Sequence, residues 1–437
     1  MSTVIERTEP VLAEHARFKQ GRGTSAPAWL RELRERGAAR FATLGYPTVR
    51  QEEWRFTNVA PIADTTFRLA EKTPTNAAEL TARVRIPETA ARIVILNGQF
   101  APELSSLDKL PRGLVAGSLA NAIAHNRPEL AHLGQLAWEH APFVALNTAF
   151  LEDGAFVAVA ANAVIDQPIH VIMINGGAGK TMAHPRTLIV AGANSQAKIA
   201  QTFLGAAGES HFANAVTEVS AGENAVLDLY TDQREIDSAY HIAAVQIQLQ
   251  RNATVRSLAV TLGGKLVRND ITGVLGGEGA HVALDGVYLV DGDRLVDNHT
   301  TIDHATPNCT SHELYKGILD GKAKAVFNGR IIVREDAQKT DSKQTNRALL
   351  LSDDAVINSN PQLEIFADDV KCTHGAAIGQ LDEDAMFYMQ ARGIAEADAR
   401  NLLIHAFAGE VLDGVREEPV REQAMRLLEE KLSLWKV

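Results

Sequence analysis

Five fragments in the middle of the chain share one pattern, and that pattern limits the possible folds more than anything else in the sequence. "SQAKIAQTF", "ENAVLDLYT", "RNATVRSLA", "EGAHVALDG" and "GKAKAVFNG" each run a polar pair, an alanine and then an alternating, strand-like segment. Their alanines are Ala197, Ala225, Ala253, Ala280 and Ala323, at intervals of 28, 28, 27 and 43 residues. A period in the high twenties, made of short strands and polar turns, suits a β-solenoid. Each coil stacks on the one before, and small inward residues fill a narrow core. A β-sandwich also gives short strands at steady spacing but has no need of a constant long repeat. The solenoid is the favoured reading, with the 43-residue interval taken as one inserted excursion. Such a stack leaves open strand edges, which suit docking of another chain.

Helical patterns flank this core. "APAWLRELRERGAARFATLGYP" sets Trp29, Leu30, Leu33, Ala38, Phe41 and Leu44 at helical spacing before Gly45 and Pro47 stop the run. Trp54 and Phe56 follow as expected packing residues. Beyond the core, Asp382 is placed to cap a helix that ends near Gly393. Leu402, Leu403, Ala406, Phe407 and Val411 then form an expected apolar stripe, and "EQAMRLLEEKLSLW" a final helix. The expected division is an N-terminal helical region at 1–84, a β core at 85–381 and a C-terminal helical region at 382–437.

Charge narrows the function. A formal net charge of −11 argues against nucleic acid or an anionic membrane as the main partner, since both require a basic face. Apolar runs such as "FVAVAANAVI" fall short of the roughly 18 residues that span a bilayer. The opening "MSTVIERTEPVLAEH" lacks the apolar stretch of a signal peptide, and two cysteines make no disulfide framework. The expectation is a soluble, cytoplasmic protein.

Three segments raise the question of chemistry. "INGGAGKT" resembles a phosphate loop, but the position five before Gly179, where that loop needs its first glycine, holds Ile174, so Gly176, Gly177 and Gly179 are wrongly spaced. A loop is expected there. "DNHTTIDHATPNCTSHELYKG" gathers His299, His304, Cys309 and His312, all zinc-competent types, at a spacing that matches no standard finger. A turn-rich connection with locally bonded histidines is the favoured reading. "KCTHGA" sets Cys372 two residues before His374, so on a strand both side chains leave the same face. Thiolate and imidazole suit iron or zinc, yet an iron–sulfur cluster ordinarily takes four ligands. Either the remaining ligands come from elsewhere, including another chain, or the pair is structural. A Cys–His nucleophile is disfavoured, because neighbours two apart on a strand rarely aim at each other.

The run from "YKGILDGKAKAVFNGR" through "NPQLEIFADDVKCTHGA" to "FYMQARGI" closely resembles the SufB/SufD family of iron–sulfur cluster assembly proteins, and "RQEEWRFT" resembles that family's N-terminal segment. The chain looks like SufD more than SufB. Asn346 stands where SufB carries a functional cysteine, and Gly375 stands where SufB has a glutamate. The resemblance implies a right-handed parallel β-helix between helical ends. It also implies a non-catalytic scaffold pairing with a SufB-type subunit and a SufC-type ATPase, the latter docked on the helices after Asp382. It carries a metal role onto His374 and, with it, Cys372, toward a transient iron–sulfur cluster or iron shared with the SufB-type partner. Two alternatives remain. One is a stand-alone carbohydrate-active β-helix enzyme, for which Asp368 and Asp369 make a poor acid–base pair. The other is a homo-oligomeric structural solenoid, of which a homodimer of the isolated chain would be the simplest form.

Overall fold

The computed structural model describes residues 2–70, 76–84, 86–135, 141–206, 208–433 and 435. Arg85, the first residue of the expected core, and Leu434, near the end of the expected last helix, lie outside the described residues. Helices α1 (Ser2–Gln20), α2 (Ala28–Leu44) and α3 (Pro142–Ala149) belong to the N-terminal part. The strands of the solenoid spine are β1 (Ala91–Leu96), β2 (Gly154–Val159), β3 (Ile169–Asn175), β4 (Arg186–Ala191), β5 (Gln196–Gly205), β6 (His211–Ala221), β7 (Val226–Arg234), β8 (Tyr240–Leu249) and β9 (Thr254–Thr261). They continue as β10 (Leu266–Leu275), β11 (His281–Val290), β12 (Leu295–His304), β13 (Thr310–Leu319), β14 (Lys324–Val333), β15 (Asp341–Leu350), β16 (Val356–Ile365) and β17 (Lys371–Gly379). Three helices close the chain: α4 (Glu383–Gln390), α5 (Glu396–Leu412) and α6 (Glu418–Ser433).

Each spine strand pairs in parallel with the strand two places on, so even-numbered strands build one sheet and odd-numbered strands the other. This pairing separates a solenoid from a sandwich, in which antiparallel neighbours would dominate. The two sheets face each other across an apolar core that includes Ile199, Leu227, Val255, Val282, Ile271 and Ile302. Their outer faces are covered by helices. Phe41, Trp54 and Phe143 pack on Phe212, Ile242 and Leu266 of the even sheet. Ile404, Ala408, Val411, Leu412 and Leu428 pack on Leu258, Val260, Leu289 and Ile318 of the odd sheet.

A repeated dipeptide turns the coil. Asn194, Asn224, Asn252 and Asn308 all have positive φ, between 55° and 60°, a conformation asparagine tolerates better than most residues. Their amides form a ladder along the stack, Asn194 to Asn162 at 3.0 Å and Asn224 to Asn194 at 2.9 Å. The next residue in each turn is small and fully enclosed, and backbone bonds from coil to coil define the column as Ser195, Ala225, Ala253, Ala280, Cys309 and Thr340.

That column corrects the repeat. Ala197 lies two residues past the true member, Ser195, and Ala323 belongs to the turns of the even sheet. Cys309 fills the place taken for an alanine after Ala280, so the 43-residue interval contains no insertion. The helix over Ala28–Leu44 forms as expected and buries Leu30, Leu33, Ala38 and Phe41, with Gly45 at φ 65° ending it. Trp54 is buried, but Phe56 is 45% exposed and packs little. Asp382 caps α4 by accepting from the amides of Asp384 and Ala385. The buried stripe of α5 runs through Ile404, Ala408, Val411 and Leu412; the expected Leu402 faces solvent.

Candidate functional site

Strands β16 and β17 end the two sheets, so each leaves one backbone edge without a partner among the described residues. Along β17 every residue except the partly covered Cys372 is exposed, whereas the strand behind it, β15, buries Ser342, Gln344 and Asn346. Register makes Cys372 the neighbour of Ser342 and His374 the neighbour of Gln344. Both therefore project from the face that lines the core in every earlier coil. At this end the core has no further strand above it, and the pair stands in an open mouth.

Each side chain tops a column that can be traced through the odd sheet. Beneath Cys372 lie Ser342, Ser311, Val282, Val255 and Leu227. Beneath His374 lie Gln344, Glu313, Leu284, Ser257 and Leu229. Along these two columns the inward residues are apolar in β7 and β11, with Ser257 the polar member in β9, and all are polar in β13 and β15. Ser342 and Ser311 are bonded at 2.8 Å, and Ser311 to His304 at 2.9 Å. Gln344 donates to Glu313 at 2.7 Å. Asn346 donates to Ser359 at 2.8 Å.

Burial shifts the protonation of the groups around the mouth. Burial, aided by the negative charge of Asp341, pushes the Cys372 thiol up. Burial raises Glu313 to about 7, offset in part by hydrogen bonds from Thr300 and Gln344. His304, lowered to about 4 by burial, stays neutral inside the stack. Lys371 and Gly375 sit at alternate positions on the outer face; a Cβ at Gly375 would meet nothing within 4 Å, so the space a glutamate would need is open.

The second group of zinc-competent residues does not converge. His304 points into the core, and Cys309 is enclosed in the turn column, its thiol 3.4 Å from the Gly277 carbonyl. His299 bonds Asp297 at 3.0 Å beside Arg268 on the even sheet. His312 faces Asp285 at 3.5 Å on the odd sheet; that carboxylate, ahead of opposing burial, raises its pKa. Among the described residues no three His, Cys, Asp or Glu side chains are grouped to hold a metal. Cys372 and His374 are thus two ligand-type groups without a third. Gly176, Gly177 and Gly179 lie in the connection after β3 and form a loop, as expected. Asp369 is tied to Lys339, which leaves no carboxylate pair at Asp368 and Asp369.

Sequence reasoning missed Glu313, Gln344 and Ser342. The signal lay in register, since aligning "TSHELYKG", "DSKQTNRA" and "KCTHGAAI" sets these residues in the columns under the Cys-x-His pair.

The chain is similar to known proteins over most of its length. The family model for the SufBD core domain of the SUF system of FeS cluster assembly matches residues 172–407, and that for the SufBD N-terminal region matches 17–171. An iron–sulfur cluster assembly SufBD family protein of Synechocystis is 36% identical over 394 residues, covering 87% of this chain and 86% of that protein. The iron–sulfur cluster assembly protein SufD of Escherichia coli is 28% identical over 395 residues, covering 89% and 90%. Protein ABCI7, chloroplastic, of Arabidopsis thaliana is 28% identical over 427 residues, covering 94% and 88%. No helix among the described residues is long and apolar enough to cross a membrane. With two family domains spanning residues 17–407 and full-length relatives on both counts, the chain belongs to the SufBD family and acts in iron–sulfur cluster assembly.

Proposed function

We propose that this chain is a non-catalytic scaffold subunit that pairs with a SufB-type protein and a SufC-type ATPase in the cytoplasm. The observation that carries the reading is the open last coil, where Cys372 and His374 stand on the terminal strand of the odd sheet, one edge of which is free among the described residues. Two ligand-type groups at a free edge leave a site that a second chain can complete. His374 offers an imidazole and Cys372 a thiolate to iron or to a nascent cluster, and the partner supplies the remaining ligands. The iron or cluster is cargo, shared across the interface and passed on.

The surface around the mouth supports a partner there. Phe366 is 65% exposed, Ile378 51% and Phe387 on α4 73%, beside the free backbone edges of β16 and β17. Strand-edge pairing with apolar side chains at the rim is a standard way to seat another β-protein. The C-terminal helices, fixed to the odd sheet through Lys316 and Glu410, are where the ATPase would dock and through which its movement would reach the stack.

Co-expression with SufB-type and SufC-type proteins, followed by purification through a tag on this chain, tests the reading. A stable complex from the wild type, weakened by Ile378→Arg, is expected. A wild-type chain recovered alone or as a homodimer, with no affinity for either protein, would overturn it.

A further inference from the structure

A buried carboxyl two strands below the mouth is costly, and its neighbours explain its position. Glu313 is fully enclosed and, among the described residues, has no ion-pair partner. It accepts from Gln344 Nε2 at 2.7 Å. Gly329 on β14 makes this arrangement possible, because a Cβ there would come within 2.3 Å of Gln344 Nε2. In a glutamine amide the oxygen and nitrogen diverge at Cδ, the one accepting and the other donating. With Nε2 tied back to β13, Oε1 is free to point away from β13, the side on which β17 lies. Gln344 Oε1 is buried and, among the described residues, has no hydrogen-bond partner. The β17 residue in register with Gln344, on the same face, is His374.

We propose that Glu313 and Gln344 are positioning residues for His374, with Gln344 Oε1 accepting one imidazole N–H and Glu313 holding the amide so that an acceptor faces the ring. The device rests on the reading of His374 as a ligand. Bonding one ring nitrogen to a carbonyl selects the tautomer and leaves the other nitrogen's lone pair turned out of the mouth, where a metal can take it. A reversed amide would present a donor instead and favour the opposite tautomer. Gln344, rather than an apolar residue such as the Leu284 two coils below it, is needed for that task.

The test is carried out on the full chain with 15N-labelled histidine, at a pH where the imidazole is neutral, with His374 signals assigned by their loss in His374→Ala. Wild type should hold one tautomer. Gln344→Leu removes the acceptor and should give a mixture, whereas Gln344→Glu keeps an oxygen there and should restore the single form. Glu313→Leu leaves Gln344 in place but unties its amide, and should also give a mixture, which covers the case in which Gln344→Leu does not fold. Cobalt(II), added alone as the probe, should bind about tenfold more weakly to Gln344→Leu and near normally to Gln344→Glu. Unchanged tautomer populations in the leucine variants would overturn the proposal. The tautomer is read without metal, so a failure of His374 as a ligand would appear separately, as equal cobalt affinity in wild type and His374→Ala.

Discussion

The two ends of this solenoid share one backbone and differ in what they enclose. In the columns beneath Cys372 and His374, the coil of β7 contributes Leu227 and Leu229, and the coil of β11 contributes Val282 and Leu284. At the same positions β13 and β15 carry Ser311, Glu313, Ser342 and Gln344. The parallel pairing and the backbone bonds between turns continue through both regions, although Gly279 and Lys339 take the place of asparagine in two of the later turns. The repeat in the turns therefore sets the architecture, and the inward side chains are free to specialise. Where they are apolar the coil contributes stability. Where they become polar, next to the open edge, the coil gives up stability for groups able to hold a proton, a hydrogen bond or a metal.

Substitutions in the two regions should separate in size. Leu227→Ala, in the fully enclosed apolar region, should destabilise by about 2–5 kcal/mol through lost burial and a residual cavity. Ser342→Ala, one strand from the mouth, should cost only about 1 kcal/mol, since it removes a single neutral hydrogen bond. Urea unfolding midpoints measure both, and equal losses would mean that the terminal coils contribute no less to stability than the early ones.

The buried carboxyl should leave a pH signature of almost the same size. Glu313 binds its proton more tightly in the folded chain, with its pKa raised from 4.5 to about 7. Its contribution is thus complete at pH below about 4.5 and is lost as pH rises toward 7, because the unfolded chain releases the proton first. Relative to Glu313→Gln, wild type should lose about 3 kcal/mol across that interval, at about 1.4 kcal/mol per pKa unit. Parallel stability curves for the two proteins would show that the interior at Glu313 is hydrated enough to ionise freely.

The smallest effect is expected at the other cysteine. Cys309 occupies a turn column filled elsewhere by Ala225, Ala253 and Ala280, so Cys309→Ala should shift stability by less than about 1 kcal/mol and leave iron binding unchanged. A loss of bound iron in that variant would extend the metal chemistry away from the mouth.

Much of the fold could be read from the residues because the turns demand specific chemistry. An asparagine at positive φ followed by a small enclosed residue recurs in coil after coil, and its period marks a stacked architecture. The exact register was less legible. Ala197 and Ala323 fit the local pattern, and only the hydrogen bonds between coils show that Ser195 and Cys309 hold the true positions. Phe56 and Leu402 have packing-type side chains yet stay about half exposed, a matter of tertiary placement that local spacing does not carry. At the site, the two-residue period of a strand was enough to set Cys372 and His374 on one face. That this face is the inner one, and that Ser342, Gln344 and Glu313 stand beneath it, depends on pairings across about 30 residues, which no local motif records.

Anaerobic cluster assembly on this chain co-purified with SufB-type and SufC-type partners tests the central claim most directly, with iron, sulfide and visible absorbance read for wild type and His374→Ala. Loss of cluster in an intact complex is the predicted result and would make the open mouth a working part of the assembly site. Full retention of cluster would contradict it and leave the polar end of the solenoid as a structural contact alone.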